Sequence, residues 1–329
     1  MTYYENLSIS NSSLSVFSYD PSYFHKVHIT KELQDKKESE AMLLGSIIHC
    51  MLLEPSEFEC RYFVSSVPPE EMPSGMMLEY VKTLAMFPDI DEIAHEAAYV
   101  KSGYKISRDK VLENYNKGTS FKKYLEELKD KRQLVSQFMY DSAKMHVENV
   151  QNSPYWNRIL GDKSLWEEYN ELEIYWETMI QVEACDIVLP MKSKLDHLFI
   201  HTGKDKLEIK YFDYKTDSQK PVHKYVDSFE YWRTYRQFAF YYLAIHEWAK
   251  QKFPDWNIDV EMYVVPIDVV RNKTVIYKVD SSYIAKGMKA IDNDLVDLAW
   301  HMCTNQWEFP RKMYEQDIPV LRVDGDECE

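Results

Sequence analysis

Asp196, Asp213 and Lys215 are the side chains of this sequence best suited to hydrolytic chemistry on a phosphodiester. They lie in one stretch, Met191–Thr216 (MKSKLDHLFIHTGKDKLEIKYFDYKT), which reads as two strands about a polar turn. Leu195, His197 and Phe199, then Leu207, Ile209 and Tyr211, alternate with a period of two, and His201–Lys206 supplies the turn chemistry. A hairpin folded about Lys204 and Asp205 sets Asp196 opposite Asp213. Asp213 and Lys215 then share a face, and Tyr214 points away. Facing carboxylates repel unless positive charge offsets them. A divalent cation with a lysine alongside does so, and that set is what a metal-dependent phosphodiester hydrolase needs. Taken alone, Asp-x-Lys is a common surface ion pair. A one-residue slip would also carry Asp196 to the other face. The reading therefore depends on the elements around the hairpin.

Residues 41–53 predict a buried helix, apolar at Met42, Leu43, Leu44, Ile47, Ile48, Met51 and Leu52 and ended by Glu54-Pro55. Gly45 and His49 stand one turn apart on it. The glycine can admit a close neighbour or ligand, and the histidine becomes a metal ligand only if this helix packs beside the hairpin. Residues 167–178 alternate as a strand, with Glu171, Glu173 and Tyr175 on one face and Leu172, Ile174 and Trp176 on the other. Glu171 either nears the carboxylates or keeps an edge strand soluble. A single long helix is expected over 224–250, on which Arg233, Gln237 and Tyr241 form a stripe with Arg236 beside it. The Gln and Tyr can orient water or phosphate and the arginines can meet DNA, although an aromatic helix face is as readily core.

The remaining elements are plainer. A short helix capped by Ser12 or Ser13 and carrying Leu14 and Phe17 is followed by a turn at Asp20-Pro21 and a polar loop over 26–40. Helices are expected at about 77–96, 108–128 and 132–151, with Ser107 and Thr119 as N-caps. Two strands at 258–267 and 273–279 precede a final helix near 281–305 and a frayed end.

Composition narrows the class. The 329 residues include only 8 glycines and no Walker A or dinucleotide fingerprint, which disfavours nucleotide-driven motors. A net charge of −15 argues against a protein that coats DNA and leaves room for one that meets it locally. The five cysteines lack a CxxC pair and predict neither a zinc site nor a disulfide framework, in keeping with a reducing cytoplasm. No apolar run approaches membrane-spanning length, so no membrane partner is expected.

In order, SSLSVFSYDPSYF, LLGSIIHCMLLEP, MKSKLDHLFI…FDYKT and RQFAFYY resemble the RecE-type exonucleases of phage and prophage recombination, in the PD-(D/E)XK nuclease superfamily. The resemblance implies an α/β fold with a mixed central sheet flanked by helices. It places one nuclease domain over 1–310, a helical insertion at about 56–165 and a tail at 311–329. It assigns His49, Asp196 and Asp213, with the Tyr214 carbonyl, to magnesium, for which manganese would substitute. Lys215 would orient the attacking water and steady phosphorane charge. Gln237 and Tyr241 would position the site, with Glu171 and Gly45 in support and Arg233 and Arg236 toward DNA. The implied activity is 5′-to-3′ digestion of duplex DNA ends by a ring-shaped homo-oligomer, feeding a single-strand annealing protein. Asp20 stands where iron–sulfur relatives carry cysteine, so no such cluster is expected. The alternatives are an endonuclease or nuclease subunit of a repair or defence complex, and an inactive DNA-binding or structural protein.

Overall fold

A computed structural model describes residues 3, 8–33, 39–183, 185–204 and 206–316. The expected frayed end, in its part beyond residue 316, and Asp205 at the hairpin turn lie outside the described residues. The chain forms two compact units, one of residues 1–38 with 153–329 and one of residues 39–152.

The first unit opens with α1 (Asn11–Tyr19) and α2 (Pro21–Phe24). The cap of α1 is Ser10, whose hydroxyl accepts from the Ser13 N–H, not Ser12 or Ser13 as the sequence suggested. A π-helical turn at His25–Ile29 extends α2 into the stretch expected to be loop.

The second unit holds α3 (Glu40–Leu53), α4 (Phe58–Arg61), β1 (Tyr62–Val64), α5 (Gly75–Leu84), α6 (Glu92–Ser102), α7 (Arg108–Lys117), α8 (Phe121–Leu128), β2 (Gln133–Val135) and α9 (Gln137–Gln151). Tyr80, Val81, Leu84, Ala94, Ala98 and Val111 form its buried centre. Two expected long helices are each broken in two. One gives way between α5 and α6, and the other at Gly118, after which Ser120 and not Thr119 stands at the N-cap of α8. Helix α3 is less buried than its composition implied: Ile47, Ile48, Cys50 and Leu53 are buried, whereas Met42 is exposed.

From Ser153 the chain returns to the first unit with α10 (Tyr155–Leu160), β3 (Glu167–Val182), β4 (Cys185–Thr202), β5 (Lys206–Asp217), α11 (Tyr225–Tyr231), α12 (Thr234–Lys252), β6 (Asn257–Asp268), β7 (Lys273–Thr274), β8 (Tyr277–Lys278), α13 (Ser281–Thr304) and α14 (Arg311–Tyr314). The sheet has six strands: β3-β4-β5-β6-β7 in order, with β8 also on β6. Among these described strands β5–β6 is parallel and the other pairs are antiparallel, which makes the sheet mixed. The sequential strands β3, β4 and β5 are joined as hairpins, and the β5–β6 crossover carries α11 and α12, as a parallel connection requires. Phe238, Phe240, Ile245, Leu295 and Leu298 from α12 and α13 cover one face of the sheet. On the other face Trp156 of α10 meets Phe199 and Phe212. With both faces covered, β4 from Met191 to Ile200 and the whole of β5 are buried or half-buried.

Helices α12 and α13 approach each other closely at Gly287. A Cβ there would lie 2.5 Å from the Tyr235 carbonyl oxygen and 2.6 Å from the Ala239 Cβ. Gly287→Ala is therefore expected to destabilise by about 1–3 kcal/mol, although alanine is the better helix former. The measurement is a lower midpoint in urea unfolding.

Cys185 and Cys303 are joined by a disulfide across 118 residues, which corrects the expectation of none. Such a pair is brought together by tertiary placement, to which local cysteine spacing is blind. It ties the start of β4 to the end of α13.

Candidate metal and hydrolytic site

The β4–β5 register is the predicted one, pairing His197 with Phe212 and Thr202 with Leu207. Its last pair before the carboxylates is His197–Phe212, so Asp196 makes no ladder pair with β5. Asp196 is also missing from the ladder on its other side. There β3 and β4 pair Asn170 with His197 and Leu172 with Leu195, skipping Glu171 and Asp196. The cause is visible in the backbone. Glu171 has φ +52°, a left-handed conformation that side-chain-bearing residues seldom adopt within a strand.

This kink changes which residues face the core. Leu189, Met191 and Leu195 before Asp196, and Leu198 and Ile200 after it, all belong to the same core cluster, so the odd–even alternation changes parity at Asp196. In β3, Leu172, Ile174 and Trp176 pack on that cluster from one side of Glu171 and Tyr169 from the other. The expected common face for Leu195, His197 and Phe199 is therefore wrong at Leu195. His197 and Phe199 instead lie together, their tilted rings 4.3 Å apart between centroids, near Trp156. The kink leaves Glu171 and Asp196 half-buried, with carboxylate oxygens within 4.8 Å of one another.

Asp213 is fully buried on β5. The Tyr211 hydroxyl donates to its Oδ1 at 3.1 Å, and the Lys215 Nζ stands 2.8 Å from its Oδ2, as the shared face predicted. The Tyr214 N–H donates to the Asp196 Oδ2 at 2.9 Å. Burial pushes the Lys215 ammonium down, but the Asp213 and Asp196 carboxylates outweigh it and hold its pKa above the ordinary lysine value. The lysine therefore stays charged beside both acids. The Tyr211 and Tyr241 hydroxyls are driven well above the ordinary tyrosine value, first by burial and then by the same two carboxylates.

The remaining expected residues divide. On α12 the Gln237 amide donates to the Tyr241 hydroxyl at 2.6 Å, and the Tyr241 ring meets Tyr211 edge-on at 5.4 Å. The Gln/Tyr pair thus reaches Asp213 through one aromatic ring. Arg233 breaks the expected single helix. It sits between α11 and α12 with φ +52°, exposed. Arg236 is buried, with Nε 3.0 Å from the Asp294 carboxylate and Nη1 donating to the Ser15 hydroxyl at 3.2 Å. It thereby links α12 to α13 and α1. A cavity of about 630 Å³ opens beside Lys215, lined by Ser15, Thr216, Arg233, Arg236 and Gln237 among others. His49 and Gly45 lie on α3 of the second unit, both half-buried.

From sequence, Lys194 is the basic residue two before Asp196 and carries no assigned role, and neither do Tyr211, His197, Glu168 and Lys163. Lys194 places its Nζ 2.6 Å from the Glu171 carboxylate. Tyr211 was read as an apolar position only. On the face opposite the acids, His197 bonds through Nδ1 to the Tyr214 hydroxyl and through Nε2 to the Glu168 carboxylate, both at 2.8 Å. Lys163 is 3.0 Å from the same carboxylate. The His197 hydrogen bond, helped by Lys163, holds Glu168 down at about 2, so it is an acceptor. Nε2 then carries the imidazole hydrogen, and Nδ1 accepts from the Tyr214 hydroxyl. Burial lowers the His197 pKa and favours this neutral ring.

Among the described residues no helix is long and apolar enough to cross a membrane. No protein-family model and no curated protein matches the sequence. Among solved structures the chain is similar to a presumed exonuclease from Eubacterium rectale, with 10% identity, coverage of 96% of this chain and 91% of that one, and a TM-score of 0.46. It is also similar to SSO0001, with 13% identity, coverage of 62% and 73%, and a TM-score of 0.25.

Proposed function

We propose that the chain is a divalent-metal-dependent DNA exonuclease, a RecE-type member of the PD-(D/E)XK superfamily. In this reading residues 1–310 serve one nuclease domain. It digests duplex ends 5′ to 3′ with magnesium, as a ring-shaped homo-oligomer, and leaves single strands for an annealing protein. The observation that carries the reading is the interrupted ladder at Glu171 and Asp196, beside the buried Asp213–Lys215 pair. Acids gathered where the ladder is interrupted repel one another, and a bound cation would offset that repulsion.

The donor set fits the ion. Carboxylate oxygens suit magnesium and manganese, which take a few protein oxygens and leave room for substrate phosphate. Glu171 and Asp196 supply carboxylates within reach of one ion, with Asp213 the next acid, on the adjacent strand. His49 enters as the nitrogen ligand assigned by the sequence resemblance, and the Tyr214 carbonyl as an oxygen ligand. A bound ion would supply Lewis-acid stabilisation of phosphate charge. Lys215, held charged by Asp213, would orient the attacking water and balance charge developing on the phosphorane. Tyr241, tied to Gln237, would steady the Tyr211–Asp213 side of the site. Arg233, with Arg236 behind it, would meet the strand's phosphates, and Gly45 would keep α3 narrow near its ligand.

The test is digestion of end-labelled linear duplex and of closed circles with magnesium or manganese. Loss of linear DNA alone, with the 5′ label released first, is the expected result. Cleavage of circles would favour an endonuclease, and no degradation with either metal would end the enzyme reading. His49→Ala is expected to weaken manganese binding in calorimetric titration; unchanged affinity would remove it from the ligand set.

A further inference from the structure

Directly behind the acids, a second set of side chains crosses the same three strands. Glu168 stands on β3, His197 on β4 and Tyr214 on β5, joined Glu168–His197–Tyr214 by the two 2.8 Å hydrogen bonds. Each is close in sequence to an acid of the other set: Glu168 to Glu171, His197 to Asp196, Tyr214 to Asp213. Tyr214 holds both sets at once. Its backbone N–H takes the Asp196 carboxylate while its hydroxyl takes His197, so one residue of β5 grips two consecutive residues of β4. It does so where the ladder pairs on both sides of β4 skip Asp196. Mutual repulsion of the carboxylates tends to splay the strands at this point.

We propose that Glu168, His197 and Tyr214 form a strut that fixes the spacing of Glu171, Asp196 and Asp213, making them positioning residues for the cation site. The inference rests on the metal reading of that site. The side chains of the strut touch neither substrate nor ion; the Tyr214 carbonyl is separate from its hydroxyl bond to His197. The strut pre-organises the ligands, so that a cation does not have to draw the strands together on binding. His197 and Tyr214 are 7% and 3% exposed, and the bond between them is sheltered from exchange with water.

Calorimetric titration of the full chain with manganese, without DNA, tests this alongside the thermal midpoint of each variant. Tyr214→Phe removes the hydroxyl and leaves the N–H on Asp196. Glu168→Ala breaks the outer bond, and Glu168→Gln keeps an oxygen for His197. Tyr214→Phe and Glu168→Ala are expected to weaken manganese binding about 10- to 100-fold, and Glu168→Gln to stay near wild type. A uniform fall in thermal midpoint with unchanged affinity would overturn the strut and leave the metal site standing. Failure of wild type to bind manganese would overturn the metal reading and the strut with it. Should Tyr214→Phe not fold, the contrast between Ala and Gln at the partly exposed Glu168 decides alone.

Discussion

Lys215→Met is expected to lower metal-dependent DNA hydrolysis by roughly 10²- to 10³-fold, the usual cost of removing one pre-organised group that meets transition-state charge. Methionine keeps the length and apolar stem and removes only the ammonium. The loss should fall on kcat more than on KM, because the phosphorane carries more charge than the ground-state phosphate. The same substitution should act on stability. The Asp213 side chain is 1% exposed and Lys215 is its ion-pair partner, so the variant leaves a buried carboxylate with the Tyr211 hydroxyl. Breaking a fully buried pair costs about 3–5 kcal/mol. Lys215 is 29% exposed, and solvent screening reduces this to roughly 1–3 kcal/mol. In chelator the variant should melt below wild type. Added manganese should recover much of the difference, since a cation beside the acids again supplies positive charge. Wild-type turnover in Lys215→Met would remove the lysine from the mechanism, and a metal-independent melting deficit would remove the cation from beside Asp213.

How much of this arrangement the sequence reveals depends on how local its cause is. The β4–β5 hairpin is legible because turn residues and alternating apolar positions fix the register within about a dozen residues. Its outcome, the Asp213–Lys215 pair on one face, follows from the two-residue period alone. The strand carrying Glu171 and the helices carrying His49 and Gln237 are legible for the same reason. The parity change at Asp196 is not. It arises from one left-handed residue on the neighbouring strand, and Glu171 is a residue type with no preference for that conformation. Reading β4 by itself therefore puts Leu195 on the wrong face, although the pairing on either side is right. The break at Arg233 is hidden likewise, because Tyr-Trp-Arg-Thr-Tyr contains neither glycine nor proline. The Glu168–His197–Tyr214 chain and the Cys185–Cys303 bond depend on which strands and helices become neighbours, information that spacing within one segment does not hold.

Glu171 offers the sharpest separation of fold from function, because glycine and alanine should reverse their customary order there. In a strand, glycine is ordinarily the less stable by about 0.5–1 kcal/mol. At φ +52° the Cβ of alanine costs about 1–2 kcal/mol, which glycine avoids. Glu171→Gly is thus expected to melt above Glu171→Ala, the difference being of order 1 kcal/mol. Both lose the 2.6 Å ion pair with Lys194 and the repulsion against Asp196, so those effects cancel between them. Against wild type, Glu171→Gly should hold its thermal midpoint in chelator, since relief of strain offsets the lost ion pair. Manganese affinity should nevertheless fall by at least about tenfold in both variants, because a carboxylate is gone from beside Asp196. A glycine variant that is stable and binds manganese like wild type would mean that the left-handed residue shapes the sheet without serving the ion. An alanine variant more stable than the glycine would mean that the kink at Glu171 is not what turns β3 and β4 over at Asp196. The reversed order together with lost affinity would show that the strain at Glu171 accompanies its service as a ligand, as expected where a backbone is held in a costly conformation for a site.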